Sequence, residues 1–81
     1  MDADVIKRWA ASPHAVEQIA ADFARKIANG QLARWAELPG NRETADDYGV
    51  SIRTVLRAKT LLAEHDEISK MGGVYVVGDG S

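Results

Sequence analysis

The sequence predicts a mainly α-helical domain that ends in a small β-hairpin. Apolar residues recur at helical spacing in two long segments, and Gly, Pro or Asn separates these segments from their neighbours. The last stretch changes period and places two β-prone runs around a glycine pair. The 81 residues include no cysteine and suffice for a single small domain, held together without disulfides or thiolate zinc.

Net charge and hydropathy exclude several classes of protein. The 10 basic and 12 acidic residues give a net charge of −2, unlike a polybasic protein of the histone kind. This sum does not exclude a nucleic-acid binder, because the distribution of charge matters more than the total. The run from Val74 to Val77 is far shorter than the roughly 20 apolar residues that span a bilayer, and the acidic residues 1–4 do not begin a signal peptide. We therefore expect a cytoplasmic protein that makes no membrane contact.

The first long helix is predicted to begin at Ser12-Pro13. Serine accepts hydrogen bonds from the free N–H groups of a helix start, and proline at the first helical position loses no donor. Asn29-Gly30 ends the helix, because glycine suits the left-handed residue that follows one. Upstream, a short apolar segment indicates one or two further helical turns: Val5, Ile6 and Trp9.

A connector and two more helices occupy the middle of the chain. The connector runs over residues 31–40, and its large apolar residues are expected to point inward: Leu32, Trp35 and Leu38. A short helix follows, capped by Asn41 and ending near Tyr48. After a turn over residues 49–51, a longer helix capped by Ser51 runs to about Glu64, with an inward stripe of Val55, Ala58 and Leu62.

The chain closes with a predicted hairpin, in which Gly72-Gly73 joins the strand over residues 68–71 to the strand over residues 74–77. The predicted elements follow in the order of a winged helix-turn-helix: helix, connector, short helix, tight turn, longer helix and hairpin. The single domain over residues 1–81 then has three parts: an extension over 1–11, the winged helix-turn-helix over 12–77 and a tail over 78–81.

Three residues test the helix-turn-helix prediction by their spacing. Ala45 lies where the next helix crosses closely and a larger side chain would collide. Gly49 stands at the turn, where a positive φ is needed and glycine adopts it at low cost. Val55 follows at the first buried turn of the second helix. A small residue, a glycine and a β-branched residue at these offsets favour a helix-turn-helix over another helical hairpin.

Several segments together resemble the DNA-binding domain of the GntR family of bacterial repressors: residues 30–32, residues 38–45 (Leu-Pro-Gly-Asn-Arg-Glu-Thr-Ala) and residues 48–58 (Tyr-Gly-Val-Ser-Ile-Arg-Thr-Val-Leu-Arg-Ala). The resemblance covers about Val16 to Val77. It implies a three-helix winged domain, which in the family is usually joined to a C-terminal effector-binding domain. We expect that second domain to be missing here.

The resemblance also implies which residues meet DNA. Arg42 matches the family's arginine that contacts phosphates and bases, Ser51 and Thr54 match hydroxyl positions that contact DNA, and Gly72 matches the wing tip, just after Lys70. The sequence departs from the family pattern at two arginines of the recognition helix, which are replaced here by Ile52 and Leu56. Arg53 stands where relatives often carry threonine.

The charge pattern of the longer helix agrees with this interpretation. Between Ser51 and Ala63 it holds three basic residues, Arg53, Arg57 and Lys59, and no acidic one. With the inward stripe buried, the outer face is predicted to present Ile52, Arg53, Leu56, Arg57 and Thr60.

Other kinds of site are not indicated. His14 and His65 lie in different elements, and no carboxylate pairs with either at ligand spacing, so we expect no metal site. Asp46 and Asp47 are adjacent, and adjacent residues of a helix point in different directions. The glycine pair lies in a hairpin rather than between a strand and a helix, so it is no phosphate loop. We expect neither an enzyme nor a cofactor.

We therefore predict that the chain binds double-stranded DNA as a small transcriptional regulator, and more specifically as a repressor. Two alternatives share the fold: a DNA-architectural or excision factor, and a protein-interaction module that binds a partner through Ile52, Leu56 and Trp35. A homodimer is a further prediction, built from Val5, Ile6 and Trp9, unless Trp9 packs on its own first helix. The DNA-binding set is Arg42, Ser51, Ile52, Arg53, Thr54, Leu56, Arg57, Lys70 and Gly72.

Overall fold

The computed structural model describes residues 1–79, which form a winged helix-turn-helix of mainly helical content. Within these residues the elements follow in the order α1 (Ala3–Ala11), α2 (Ala15–Ala28), α3 (Asn41–Tyr48), α4 (Ile52–Glu64), β1 (Ile68–Met71) and β2 (Val74–Val77). The predicted tail over residues 78–81 lies partly outside the described residues, because positions 80 and 81 are not among them.

The junction of α1 and α2 differs from the prediction by a few residues. Ser12 is extended, with φ −67° and ψ 143°, as expected for a residue before proline. Its hydroxyl accepts a hydrogen bond from the His14 amide at 3.1 Å, within the bend between the two helices. The helix therefore begins at Ala15 rather than at Ser12-Pro13, and its N-cap, His14, makes no side-chain hydrogen bond.

The core forms where the apolar faces of α1, α2 and α4 meet the first strand of the hairpin. Phe23 from α2, Leu62 from α4 and Ile68 from β1 are almost fully buried there. Trp9 from α1 joins them at 7% exposure, and its ring stacks edge-to-face on His65 with centroids 4.9 Å apart. Residues 3–11 therefore belong to the core of the domain. A dimer contact through Trp9 is not supported, because the same chain already covers this ring.

The helix-turn-helix has the geometry that the three spaced residues predicted. Ala45 and Val55 are buried between α3 and α4, and Gly49 ends α3 in the left-handed region with φ +67°. Ser51 caps α4, since its hydroxyl accepts a hydrogen bond from the Thr54 amide at 3.2 Å. These contacts fix how α4 leaves the turn.

The start of α3 lies one residue away from its predicted cap. Gly40, with φ −60° and ψ 154°, is the N-cap, and Asn41 is already helical. Thr44 secures this end because its hydroxyl donates to the Gly40 carbonyl at 2.9 Å. The prediction of Asn41 as the cap is therefore wrong.

The hairpin follows its predicted bounds, with Ile68 opposite Val77 and Met71 opposite Val74. Gly72 and Gly73 have φ of +60° and +88°, the positive values that a two-residue hairpin turn of type I′ requires. The two strands project from the helices as the wing.

The connector pairs with the free edge of β2, which the sequence did not indicate. The Leu38 amide donates to the Tyr75 carbonyl at 3.0 Å, and the Trp35 amide donates to the Val77 carbonyl at 2.9 Å. To make this contact Trp35 takes a φ of +71°, and its side chain is 45% exposed. The prediction that Trp35 points inward is wrong, because backbone pairing rather than side-chain burial sets the path of the connector.

Candidate nucleic-acid interface

The exposed side of α4 carries the five residues that its periodicity placed there. Val55, Ala58 and Leu62 are fully buried, and this fixes the rotation of the helix about its axis. The opposite side is open to solvent and consists of two cations, two aliphatic residues and a hydroxyl: Arg53, Arg57, Ile52, Leu56 and Thr60.

Lys59 is the basic residue of α4 that does not lie on this exposed side. It is 4% exposed, and its Nζ donates a hydrogen bond to the Pro39 carbonyl at 2.8 Å. Burial lowers the pKa of Lys59, and the nearby Glu37 carboxylate opposes part of that shift. The position of Lys59, four residues after Val55 and three before Leu62, could have placed it inward from the sequence. Arg53 and Arg57 are therefore the cations that α4 presents to a ligand.

A groove separates the exposed side of α4 from the wing. Its walls include Leu56 and Lys59 from α4, Lys70 and Val74 from the wing, and Asn41 at the start of α3. We call these residues the wing groove. The wing groove places an aliphatic side chain of the helix opposite an aliphatic side chain and a cation of the wing.

The other flank of α4 faces α1 and α2. Arg57 and Thr60 line this side together with Trp9, His14 and Glu17. Arg57 therefore borders a surface of mixed charge. Arg53, one helical turn earlier on the same stripe, lies toward the N-terminal end of α4.

Four exposed cations lie around α4, and none of them forms an ion pair with another residue between 1 and 79. They are Arg42 on α3, Arg53 and Arg57 on α4, and Lys70 on β1, whose Nζ lies 5.9 Å from the centre of the Tyr75 ring. By contrast, Arg25 and Lys26 on α2 are paired with the Asp22 carboxylate. The four unpaired charges are therefore available to an anionic ligand.

The two predicted hydroxyl ligands take part in the start of α4. The Ser51 and Thr54 hydroxyl oxygens are 3.0 Å apart, and Ser51 also accepts from the Thr54 amide. Each hydroxyl can form more than one hydrogen bond, so both keep capacity for an external partner. Ser51 is exposed, whereas Thr54 is half-buried.

Trp35 lies away from the aliphatic residues of α4 with which a shared partner surface was predicted. Its ring is beside Gly78, just beyond the end of β2, and the Arg34 guanidinium lies 4.9 Å from its centre. Leu56 instead lines the wing groove, as does Val74 at the beginning of β2. A single surface that combines Ile52, Leu56 and Trp35 is therefore not supported.

Residues 1–79 contain neither a candidate metal-binding cluster nor a helix that could span a membrane. This part of the chain brings together no cluster of three or more His, Asp or Glu side chains that could hold a metal ion. No helix among the described residues has the length and apolar character needed to cross a membrane.

A helix-turn-helix with a left-handed glycine at its turn, an outward-facing second helix and a β wing defines the class: a winged helix-turn-helix domain. No protein-family model and no curated protein matches the chain. Among solved structures it is similar to YtrA from Sulfolobus acidocaldarius, a GntR-family transcription factor, with 31% identity and a TM-score of 0.79 over 88% of this chain. The chain is therefore a winged helix-turn-helix domain, and it is similar to part of a GntR-family transcription factor.

A second solved structure agrees with this assignment at the level of the fold. It is the crystal structure of a protein described as a GntR-family transcriptional regulator, and it aligns with a TM-score of 0.75 and 24% identity over 86% of this chain. The chain spans 61% of the YtrA chain and 27% of this second one, so it corresponds to a part of each protein.

Proposed function

We propose that the chain binds double-stranded DNA through α4 and the wing and acts as a small transcriptional regulator. One observation carries the proposal: the exposed side of α4 bears Arg53 and Arg57 and no acidic residue between Ser51 and Ala63. A basic helix with no acidic residue before Glu64, on a chain of net charge −2, gives the molecule a directional field toward a polyanion. The similarity to YtrA, a transcription factor, supports the same function.

In this proposal α4 lies in the major groove, as the second helix of a helix-turn-helix does. Arg42 and Arg57 hold phosphates on either side of the helix, and Ser51 supports the contact at its start. Arg53 and Thr54, in the first turn of α4, reach base edges. The wing, with Lys70 before its Gly72 tip, follows the neighbouring minor groove. Binding of this kind would repress a promoter by occluding it.

A titration against duplex DNA at several salt concentrations tests the proposal. The exposed cations Arg42, Arg53, Arg57 and Lys70 provide about four phosphate contacts, so log K should fall against log salt with a slope near −3.6. A labelled random-sequence duplex, followed by fluorescence anisotropy, serves as the probe.

Variants that remove one charge distinguish binding through this interface from non-specific attraction between DNA and any cation of the protein. Arg57→Ala should make the slope shallower by about 0.9. The matched control is Lys7→Ala, which removes an exposed cation from α1 and should leave the slope unchanged. A flat salt dependence, or no binding at low salt, would contradict DNA binding and favour a protein partner.

A further inference from the structure

The exposed side of α4 carries a pair of aliphatic side chains that the domain itself does not cover. Ile52 is 43% exposed and Leu56 is 42% exposed, although both are large and apolar. They are four residues apart, so they lie on one stripe of the helix with about 6 Å between them along the axis. A contiguous apolar pair on a small domain indicates a surface that a ligand covers.

The charges around this pair indicate what the ligand is. The exposed charged residues of α4 up to Ala63 are Arg53 and Arg57, because Lys59 is buried against the Pro39 carbonyl. Leu56 also borders the wing groove, where Lys70 adds a positive charge and the exposed Glu37 of the connector a negative one. An apolar stripe flanked by Arg53 and Arg57 on its own helix matches a ligand that presents apolar groups between negative charges.

Duplex DNA presents such a surface in its major groove. Each thymine projects its C5 methyl group there, between two phosphate backbones. An aliphatic side chain donates and accepts no hydrogen bond, so at these positions it can read a methyl group but no polar base edge. A protein partner would instead need an apolar patch ringed by acidic residues.

We propose that Ile52 and Leu56 contact thymine methyl groups in the major groove and so give the chain a preference for thymine at two positions of its site. The inference rests on the DNA binding proposed above. The axial separation of about 6 Å corresponds to roughly two base-pair steps of about 3.4 Å. The two preferred thymines therefore lie about two base pairs apart, on the same strand or on opposite strands.

Replacement of thymine by deoxyuridine tests this reading directly. It removes the C5 methyl group and leaves the pairing edge unchanged. A tightly bound duplex is first selected from a random-sequence library, and each of its thymines is then replaced in turn. Two positions about two base pairs apart should each lose about fourfold in affinity, the effect of one buried methyl-sized group.

Variants of Ile52 and Leu56 show which side chain contacts which of the two thymines. Ile52→Ala should abolish the sensitivity to deoxyuridine at one position, and Leu56→Ala should abolish it at the other. The matched control is Met71→Ala, which shortens a wing side chain that is 50% exposed and should keep both sensitivities. All three residues are exposed, and circular dichroism confirms that each variant is folded before binding is measured.

The outcomes distinguish this inference from the function on which it rests. In one outcome, binding depends on salt and yet stays equally tight after every thymine replacement. This result would overturn the proposed contacts between the two side chains and thymine methyl groups, and it would leave DNA binding in place. Sensitivities that persist in Ile52→Ala and Leu56→Ala would also overturn it, since other residues would then read the methyl groups. The absence of binding to any duplex at low salt would overturn both proposals.

Discussion

The Tyr48 hydroxyl donates a hydrogen bond to the Asp22 carboxylate and so ties the end of α3 to the middle of α2. Asp22 also accepts a hydrogen bond from Arg25 at 2.7 Å, and the Lys26 Nζ lies 3.8 Å away. Burial, followed by the hydrogen bond to this carboxylate, raises the pKa of Tyr48 well above its usual range. The helix that precedes the turn, α3, is thereby held to α2 as well as packed on α4.

Removal of this hydroxyl should destabilise the domain. Tyr48→Phe is expected to lower the free energy of unfolding by about 1 kcal/mol, because the bond is to a charged group but lies at a partly exposed site. The matched control is Tyr75→Phe, whose hydroxyl makes no hydrogen bond within residues 1–79 and whose loss should change little. Urea denaturation at neutral pH measures both, and equal effects would contradict a special role for the contact between Tyr48 and Asp22.

The same carboxylate should make the stability of the domain depend on pH. Burial alone would raise the pKa of Asp22, but the hydrogen bonds from Tyr48 and Arg25 and the charge of Lys26 hold it below its usual value of 3.8. The folded carboxyl therefore binds its proton less readily than the unfolded one. Its contribution is fully present above the unfolded pKa and is lost as the pH falls through the folded value.

Asp22→Asn provides the comparison for this pH dependence. Between about pH 5 and about pH 2.5, the wild type should lose more unfolding free energy than Asp22→Asn, because the amide does not titrate. Urea midpoints at several pH values measure the difference. Parallel curves for the two proteins would show that other carboxylates account for the acid sensitivity.

The turn glycine should be much less tolerant of substitution than the glycine that begins α3. Gly49 has φ +67°, and an added Cβ would meet nothing within 4 Å, so the cost of Gly49→Ala is backbone strain of about 1–2 kcal/mol. Gly40 has an ordinary φ of −60° and equal space around it. Gly40→Ala should therefore stay within about 0.5 kcal/mol, since the loss of unfolded-state entropy offsets a poorer cap. Similar urea midpoints for the two variants would contradict the strained turn.

Lys59 and Arg57 should behave differently on DNA although both are basic residues of α4. Lys59→Met keeps the aliphatic stem and removes a charge that already binds the Pro39 carbonyl, so the salt slope of DNA binding should not change. Arg57→Ala should make that slope shallower by about 0.9. Anisotropy titrations at several salt concentrations compare them, and a shallower slope for Lys59→Met would mean that its Nζ moves onto a phosphate.

Arg42 and Arg53 should contribute differently to affinity and to sequence preference. Arg42 lies in the first turn of α3, beside the expected path of the backbone, so Arg42→Ala should weaken binding to all sequences alike. Arg53 lies in the first turn of α4, so Arg53→Ala should lose about 1–3 kcal/mol of discrimination at one base pair. Binding measured across a library of site variants separates the two effects. A uniform loss for both variants would contradict this division of roles.

The helix-turn-helix and the hairpin could be predicted from the sequence because their determinants are local. The spacing of Val55, Ala58 and Leu62 sets which side of α4 is buried, and so predicts the exposed side with its aliphatic pair. Gly49 and the Gly72-Gly73 pair mark backbone conformations that other residues adopt only at a cost. Each of these features depends on residues within about two helical turns of one another.

Tertiary structure alone decided which distant partners Lys59, Trp9 and Trp35 meet. Lys59 is buried because the connector brings the Pro39 carbonyl, 20 residues away in sequence, to its Nζ. Trp9 is covered by His65 from the far end of α4, and Trp35 turns outward because its amide pairs with β2. The spacing of apolar residues indicates which face of a helix or strand is buried. The group that hydrogen-bonds to a buried amine or amide, or packs against a buried ring, comes from a distant segment. Such a partner is specified only once the chain has folded.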